Sequence, residues 1–226
     1  MVNIVLWDVD GTLLDPAGSI TEGIAEALVK NGFERPDEKT LDAFVGPPVN
    51  YSLEHFTDVP REKFSDIVAT YRAAYKTKGL PQSKLYPGMR ETLEKFASLG
   101  YIQGVATQKP LHLAEEVVEM FDIAQFFEVV GGARDEHGQK NLEMPSDKPG
   151  IIGYVLNALT EKYGQDVSAV MIGDRQYDAV GAATHGIPSI GVSWGFGDEA
   201  ERLEHFDNVV DTPKQLQVRV AELFAS

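Results

Sequence analysis

The sequence predicts an α/β protein with a parallel sheet and an inserted helical domain, and three observations lead to this prediction. An almost wholly apolar run at residues 2–7 is typical of a strand that is buried on both faces of a parallel sheet. After Pro87-Gly88, short apolar runs alternate with helical patterns, as in βαβ units. Residues 15–82 carry helical patterns and no convincing strand. We therefore expect a core domain of residues 1–14 and 83–226 and a helical cap domain of residues 15–82.

Apolar residues recur at helical spacing in four groups within the inserted segment. The groups are Ile20, Ile24, Ala27 and Leu28; Leu41, Phe44 and Val45; Leu53 and Phe56; and Phe64, Ile67, Val68, Tyr71 and Tyr75. Ser19 is a candidate N-cap for the first helix, and Gly46-Pro47-Pro48 ends the second group. We expect a lid that is joined to the core through linkers near residues 14–18 and 79–86.

The remainder of the chain predicts further strands and helices in alternation. The predicted strands are residues 101–106, 126–130, 167–172 and 189–192, with a short last strand at 209–210. The predicted helices are residues 93–99, ended by Gly100, then 113–121, 151–159, 175–184 and 215–224. Because alternating strands and helices build parallel sheets, the carboxyl ends of these strands should lie at one edge.

Composition and charge exclude several classes of function. The 226 residues are 43% hydrophobic and 24% charged, as in a soluble globular protein. A net charge of −15 repels phosphate backbones, so we expect no nucleic-acid polymer as a partner. The absence of cysteine excludes disulfides, thiolate metal sites and a cysteine nucleophile. The N-terminus does not resemble a secretion signal and no apolar run is long enough to span a membrane, so we expect a cytoplasmic protein.

Two aspartates follow the first predicted strand. Asp8 and Asp10 are separated by one residue, so both side chains would emerge on the same side where the strand ends, and Gly11 allows a sharp turn. Like charges this close need an opposite charge, and a divalent cation with oxygen ligands supplies it. Taken alone, the pair is also compatible with an acidic surface turn.

Polar residues also follow two other predicted strands. The strand of residues 101–106 leads into Thr107-Gln108-Lys109, and the strand of residues 167–172 leads into Gly173-Asp174. Asp178 lies one helical turn after Asp174, so the two carboxylates can face one place. Ligands of open α/β sheets bind beyond the carboxyl ends of the strands. The convergence of three such ends therefore predicts a functional site and not a surface turn.

These segments resemble the sequence motifs of the haloacid dehalogenase (HAD) superfamily. Asp8-Val9-Asp10-Gly11-Thr12 resembles the first motif, and Thr107 at a strand end matches the second. Lys148 suits the third motif, and residues 173–178 look like the fourth. The helical insertion is similar to the type 1 cap of the family. The resemblance implies a Rossmann-like core that binds Mg²⁺.

The resemblance also implies roles for the two aspartates of the first motif. Asp8 would be the nucleophile that forms an aspartyl-phosphate. Asp10 would be the general acid that protonates the leaving oxygen and then the base that activates water. The dehalogenases that name the superfamily lack the second aspartate, so its presence favours phosphoryl transfer over cleavage of a carbon–halogen bond.

The same resemblance implies a set of binding residues. Mg²⁺ would be held by the carboxylates of Asp8 and Asp174 and by the backbone carbonyl of Asp10, with Asp178 supporting the metal or its waters. The phosphoryl group would be bound by Thr107 and Lys148, with Lys109 and Lys140 as alternatives to Lys148. Lys148 is preferred because it alone precedes the helix that leads to the strand of Asp174.

The loop of Gly46, Pro47 and Pro48 predicts where the cap would contact substrate. Its composition alone fits a helix-breaking turn equally well, but it is similar to a loop of HAD phosphatases of the phosphoglycolate phosphatase and 5′-nucleotidase-like groups. We therefore expect a Mg²⁺-dependent phosphomonoester hydrolase that acts on a small phosphorylated metabolite, as a monomer or a dimer. The alternatives are a 5′-nucleotidase, a HAD phosphomutase and a non-catalytic HAD-like binding protein.

A rival motif occurs at residues 191–195, where Gly191-Val192-Ser193-Trp194-Gly195 matches the G-x-S-x-G elbow of serine hydrolases. Only 31 residues follow it, and the available acid and base, Asp198 and His205, are seven residues apart. Because the triad needs partners from later strands, we expect this segment to be an ordinary loop after the fifth strand.

Overall fold

A parallel sheet of six strands forms the core of the larger of two compact units in the computed structural model, which describes residues 1–16, 18–134 and 144–225. Unit 1 comprises Met1–Leu13 and Leu85–Ser226, and unit 2 comprises Leu14–Lys84. The strands are β1 (Val2–Trp7), β2 (Leu14–Asp15), β3 (Lys84–Leu85), β4 (Ile102–Pro110), β5 (Val129–Ala133), β6 (Val167–Gly173), β7 (Ser189–Val192) and β8 (Asn208–Val210). The large sheet has the order β5-β4-β1-β6-β7-β8, so the predicted Rossmann-like α/β fold is confirmed.

Helices connect these strands. They are α1 (Ser19–Lys30), α2 (Glu38–Asp42), α3 (Val49–Phe56), α4 (Phe64–Ala74), α5 (Met89–Ser98), α6 (Leu111–Met120), α7 (Lys148–Tyr163), α8 (Gln176–Thr184), α9 (Glu199–His205) and α10 (Pro213–Ala225). Among the described residues, none of the helices combines the length and the apolar character that crossing a membrane requires.

Strand β1 lies at the centre of the sheet, which explains its apolar sequence. Its residues from Ile4 to Trp7 are fully buried. It pairs in parallel with β4 on one side and β6 on the other, and Trp7 lies opposite both Val105 and Ile172. The residues that follow these three positions therefore lie at one edge of the sheet, as parallel register requires.

Helix α7 packs on one face of the sheet and completes this part of the core. Its apolar side chains Ile151, Val155 and Leu159 are fully buried in one cluster with Ile4 and Leu6 of β1. Burial of each such side chain stabilises the fold by about 1.5–3 kcal/mol. This packing fixes the first residue of α7, Lys148, relative to the carboxyl ends of β1 and β4.

Unit 2 is a small helical unit built from α1 to α4. Its helices bury apolar positions that the sequence predicts, among them Ile24, Leu28, Leu53 and Ile67. Two 3₁₀ turns (Arg61–Lys63 and Leu80–Gln82) and a π-helical turn (Tyr75–Gly79) complete it. The prediction that residues 15–82 act as a cap over a site stays a prediction.

Several sequence-based boundaries are wrong, each for a local reason. Leu14–Asp15 and Lys84–Leu85 pair as a two-stranded sheet that is too short to show periodicity. Helix α1 has Gly18 as its N-cap and begins at Ser19, so Ser19 is not the cap. Strand β5 begins at Val129, because Ala124–Phe126 form a 3₁₀ turn.

Candidate active site

Asp8 directly follows β1 and continues its pairing with β6. Its backbone N–H donates to the carbonyl oxygen of Ile172 at 2.9 Å, and its side chain is buried. The Nζ atom of Lys148 lies 2.7 Å from Asp8 Oδ1. Asp8 is therefore a buried carboxylate with a fixed direction and a positive partner.

The turn after Asp8 depends on a glycine. Gly11 has a φ of +85°, and a Cβ atom there would lie 2.2 Å from Asp174 Oδ2. The turn is closed by the N–H groups of Thr12 and Leu13, which donate to the Val9 carbonyl at 3.2 and 2.9 Å. Only glycine combines this backbone conformation with so close an approach to a carboxylate.

Asp174 follows β6 and is held by groups from two other segments. The N–H of Phe196, in the loop after β7, donates to Asp174 Oδ2 at 2.7 Å. The hydroxyl of Thr12 donates to Asp174 Oδ1 at 3.3 Å. A Cβ atom at Gly195 would lie 2.3 Å from Asp174 Cβ, so the loop can lie this close to Asp174 only because residue 195 has no side chain. This loop contains the end of the G-x-S-x-G segment and packs on Asp174.

Asp178 lies in the first turn of α8 and is also fixed. Its Oδ2 accepts the N–H of Arg175 at 3.1 Å, as part of a capping box. Its Oδ1 lies 2.6 Å from Lys148 Nζ. Gly173 makes room for it, because a Cβ atom there would lie 2.1 Å from Asp178 Cγ.

Lys148 connects these carboxylates from the first position of α7. Its Nζ also donates to the Ala106 carbonyl at 2.9 Å. A positive charge at a helix N-terminus is unfavourable, and burial lowers the pKa of the ammonium. Asp178 and Asp8 outweigh burial and raise the pKa of Lys148 above its usual value, so the lysine stays charged.

The carboxylates of Asp8, Asp174 and Asp178 form a compact buried group. Each offers one oxygen, and these oxygens lie within 4.8 Å of one another. Burial, with the charges of Asp8 and Asp178, raises the pKa of Asp174 to about 8. Burial also raises the pKa of Asp178 to about 6, although Lys148 acts in the opposite direction. The three carboxylates therefore have too little positive charge nearby to offset their own charges.

These residues fit a divalent cation. They are hard oxygen ligands, which Mg²⁺ prefers. With all four aspartates of the site ionised (Asp8, Asp10, Asp174 and Asp178), the two lysines Lys109 and Lys148 leave two negative charges unbalanced. The charge of Arg175 also acts on Asp174, but Arg175 forms its ion pair with Glu201, with Nε 3.0 Å from the Glu201 carboxylate. One divalent cation would neutralise the site.

Asp10 and Thr107 lie on the β4 side of the site. Lys109 Nζ lies 2.6 Å from Asp10 Oδ2, and both side chains are buried. The backbone N–H of Lys109 donates to Thr107 Oγ1 at 3.2 Å, and Thr107 is also buried. The prediction that the strand ends at Ala106 is wrong, since β4 continues to Pro110 through a register shift.

The structure joins most of the predicted site residues through direct contacts. Asp8, Asp174 and Asp178 share one cluster, whereas the Asp10 carboxylate faces Lys109. Lys148 contacts Asp8 directly, with Nζ 2.7 Å from Oδ1. The alternative Lys140 lies outside the described residues. The remaining predicted residues, Gly46, Pro47 and Pro48, belong to unit 2, and their approach to substrate stays a prediction.

Sequence reasoning missed three contacts that shape the site. They are the ion pair of Lys109 with Asp10, the hydrogen bond of Thr12 to Asp174, and the N–H of Phe196 donated to Asp174. The glycines of the loop after β7 were a usable signal for the last of these, because they mark a close approach of backbone. No comparable signal marks the other two.

Comparison with known proteins gives concordant results. Residues 5–192 match the family described as haloacid dehalogenase-like hydrolase. The chain is 30% identical over 203 residues to a 5′-nucleotidase of Pseudomonas aeruginosa, covering 89% of this chain and 87% of that protein. It is 27% identical to a phosphoglycolate phosphatase of Vibrio parahaemolyticus, covering 97% and 96%. A crystal structure described as a predicted phosphatase from Clostridium acetobutylicum aligns with a TM-score of 0.86 at 31% identity, covering 98% of this chain and 99% of that one.

Proposed function

Because the chain belongs to the haloacid dehalogenase-like hydrolase family, we propose that it is a Mg²⁺-dependent phosphomonoester hydrolase for a small phosphorylated metabolite. The predicted enzyme class, a phosphatase, is confirmed by the similarity to phosphatases over most of the chain. The finer proposal rests on the buried group of Asp8, Asp174 and Asp178 beside Lys148. Such a group can combine a nucleophile, a cation site and a positive charge for phosphate.

Asp8 is the proposed nucleophile. One oxygen of its carboxylate bonds to phosphorus while the bond from phosphorus to the ester oxygen breaks. The electron pair of that bond goes to the leaving oxygen, which takes a proton from Asp10. In the second step Asp10 takes a proton from water, the water oxygen bonds to phosphorus, and the bond to Asp8 breaks. The products are an alcohol and inorganic phosphate, and both aspartates return to their starting states.

Lys148 and Thr107 are the proposed phosphate-binding residues. The Nζ of Lys148 already touches Asp8, so it is close to the position that a phosphoryl group on Asp8 would take. A fixed ammonium at that position stabilises the charge of the phosphoryl oxygens without reorganisation. The buried hydroxyl of Thr107 is proposed to donate to one of those oxygens.

The proposed Mg²⁺ ligands are the carboxylates of Asp8 and Asp174 and the backbone carbonyl of Asp10. Asp178 is proposed to support the metal through its position next to both carboxylates. When bound, Mg²⁺ would neutralise part of the charge on the phosphoryl oxygens. The carboxylate of Asp10, which faces Lys109, would remain available for proton transfer.

Residues 15–82 are proposed to act as a cap that limits substrates to small molecules. Gly46, Pro47 and Pro48 would form its specificity loop. The rings of Pro47 and Pro48 limit the backbone freedom of the loop, and Pro48 directly precedes α3. A cap of this kind excludes water in the first step and admits it in the second.

Two substrate classes are favoured by specific relatives. The phosphoglycolate phosphatase resembles this chain over nearly its whole length, and the 5′-nucleotidase shares a higher identity over a shorter part. We propose phosphoglycolate-like metabolites first and nucleoside 5′-monophosphates second. A phosphomutase would use the same aspartates but would return the phosphoryl group to a sugar.

A phosphate-release assay tests the proposal. The purified protein is incubated with 2-phosphoglycolate, nucleoside 5′-monophosphates or sugar phosphates, with Mg²⁺ or with a chelator. We expect Mg²⁺-dependent phosphate release that falls at least about 10⁴-fold in Asp8→Asn, with the fold retained by circular dichroism. Asp211→Asn, at an exposed position, is the control. Wild-type turnover in Asp8→Asn would refute the mechanism, and sugar-phosphate isomerisation without phosphate release would indicate a mutase.

A further inference from the structure

The ion pair of Lys109 with Asp10 has no role in the mechanism described so far. Its two side chains are almost completely buried, with exposed fractions of 4% for Lys109 and 13% for Asp10. A buried ion pair is expensive to desolvate, and an apolar pair of similar volume is often as stable. Stability is therefore a weak explanation for this pair, which lies beside the candidate site.

We propose that Lys109 is a positioning residue that directs the carboxylate of Asp10 for proton transfer to the leaving oxygen of the substrate. The inference rests on the proposed function, because it assigns Asp10 the acid and base role. It differs from phosphate binding, in which Lys109 would act on substrate directly.

The path of β4 supports this assignment. The strand shifts register between Ala106 and Pro110, and irregularities of this kind redirect side chains next to functional sites. Within the shift, the N–H of Lys109 donates to the hydroxyl of Thr107, and its ammonium reaches Asp10. Lys109 thereby joins a proposed phosphate donor to the proposed acid.

The distribution of the two lysines supports it further. Lys148 lies between Asp8 and Asp178, within the carboxylate group that fits a cation. Lys109 contacts Asp10, whose carboxylate is outside that group. An ammonium 2.6 Å from one oxygen of Asp10 limits how far the carboxylate can rotate. The two aspartates of the first motif are thus held by different lysines.

Leaving-group dependence provides the test. The ratio kcat/KM covers the steps up to release of the alcohol, and p-nitrophenol leaves without needing a proton. We expect Lys109→Met to lower kcat/KM for an alkyl phosphate by about 10²-fold but for p-nitrophenyl phosphate by less than about tenfold. Lys95→Met, at an exposed position of α5, should change neither value. Equal losses with both esters would overturn the inference.

A double-mutant cycle separates positioning from phosphate binding. If Lys109 acts through Asp10, Lys109→Met in an Asp10→Asn background should lower kcat/KM by less than about threefold. A full additional loss would mean an independent role and would overturn the inference. The double variant also removes both charges together, so it leaves no unpaired buried carboxylate at this position.

Two measurements guard against misreading the result. Circular dichroism melting shows whether Lys109→Met folds. If it does not, Lys109→Arg replaces it, because arginine keeps the charge and alters its position. We then expect a smaller loss of kcat/KM that is again greater for the alkyl phosphate than for p-nitrophenyl phosphate. Equal losses in Lys109→Arg would again contradict the inference. If the wild-type protein hydrolyses neither ester with Mg²⁺, the proposed function fails, whatever the variants do.

Discussion

The two buried lysines of the site hold their carboxylates in different surroundings. Lys148 contacts both Asp8 and Asp178, within a group of three carboxylates that keeps an excess of negative charge. Lys109 contacts Asp10, whose carboxylate is outside that group. The first arrangement fits a further cation, whereas in the second an ammonium directly faces the carboxylate.

This difference separates the proposed metal-binding carboxylate of Asp8 from the proposed proton-transfer carboxylate of Asp10, although they lie only two residues apart in the chain. Asp8 and Asp10 are neighbours on the same turn, yet one faces α7 and α8 and the other faces β4. The carboxylate of Asp10 therefore lies outside the group that fits a metal, and its contact with Lys109 fixes its direction.

Replacement of Lys148 should have the largest effect on stability. Lys148→Met leaves Asp8 and Asp178 without their shared partner, and loss of one member of a buried ion pair destabilises by about 3–5 kcal/mol. We expect a smaller loss for Lys109→Met, which removes the partner of one carboxylate. Urea denaturation of both variants and of Lys95→Met measures the difference. Equal destabilisation by the two site variants would contradict the comparison.

Removing one charge from the three-carboxylate group should raise the free energy of unfolding, whereas loss of Lys148 lowers it. Asp174→Asn relieves the repulsion that contributes to the raised pKa of Asp174, so the metal-free variant should unfold at a higher urea concentration than the wild type.

The same variant should lose its response to Mg²⁺. A ligand that binds the folded state at 100 times its Kd stabilises by about 2.7 kcal/mol, and this gain should disappear in Asp174→Asn. Asp211→Asn, at an exposed position, should retain the full gain. A wild-type protein whose midpoint does not change on addition of Mg²⁺ would argue against a cation in this group.

The loop after β7 allows a narrower test. A Cβ atom in Gly195→Ala would collide with Asp174, so we expect about 10–100-fold weaker Mg²⁺ activation. Gly100→Ala is a matched control, because its φ of +77° brings backbone strain although nothing lies within 4 Å of the added atom. The control should lose stability and keep its Mg²⁺ dependence. The Mg²⁺ concentration that gives half-maximal activity is the readout.

The sequence predicted the positions where strands meet the site, for a definite reason. The apolar run before Asp8 and the run before Asp174 each mark a buried strand, and parallel strands bring their carboxyl ends to one edge. Lys148 was predictable because it begins the helix that leads to β6. The local pattern and the topology therefore contain most of the metal-compatible group.

The second lysine was not predictable in its role. The polar residues Thr107 and Lys109 resemble the end of a strand, but β4 continues past them to Pro110, which pairs with Ala133 of β5. The contact of Lys109 with Asp10 joins residues 99 positions apart and depends on the register shift of β4. Strands β2 and β3 have two residues each, which is too few for any periodicity. Contacts that depend on backbone irregularity leave no pattern in one sequence.

Loss of an exposed ion pair should lower the free energy of unfolding least, and it gives a reference value for the two buried lysines. Lys162 lowers the pKa of Glu128 through a hydrogen bond and its charge, and both side chains are substantially exposed. Because the folded-state pKa lies below the unfolded value of about 4.5, the pair stabilises the fold above that pH and loses its contribution as the pH falls further. Glu128→Gln should therefore lower the free energy of unfolding at pH 7 by less than about 1 kcal/mol, with no difference at pH 2–3. Urea denaturation at both pH values checks this, and a loss as large as that of Lys109→Met would mean that burial does not set the difference between the site lysines and surface lysines.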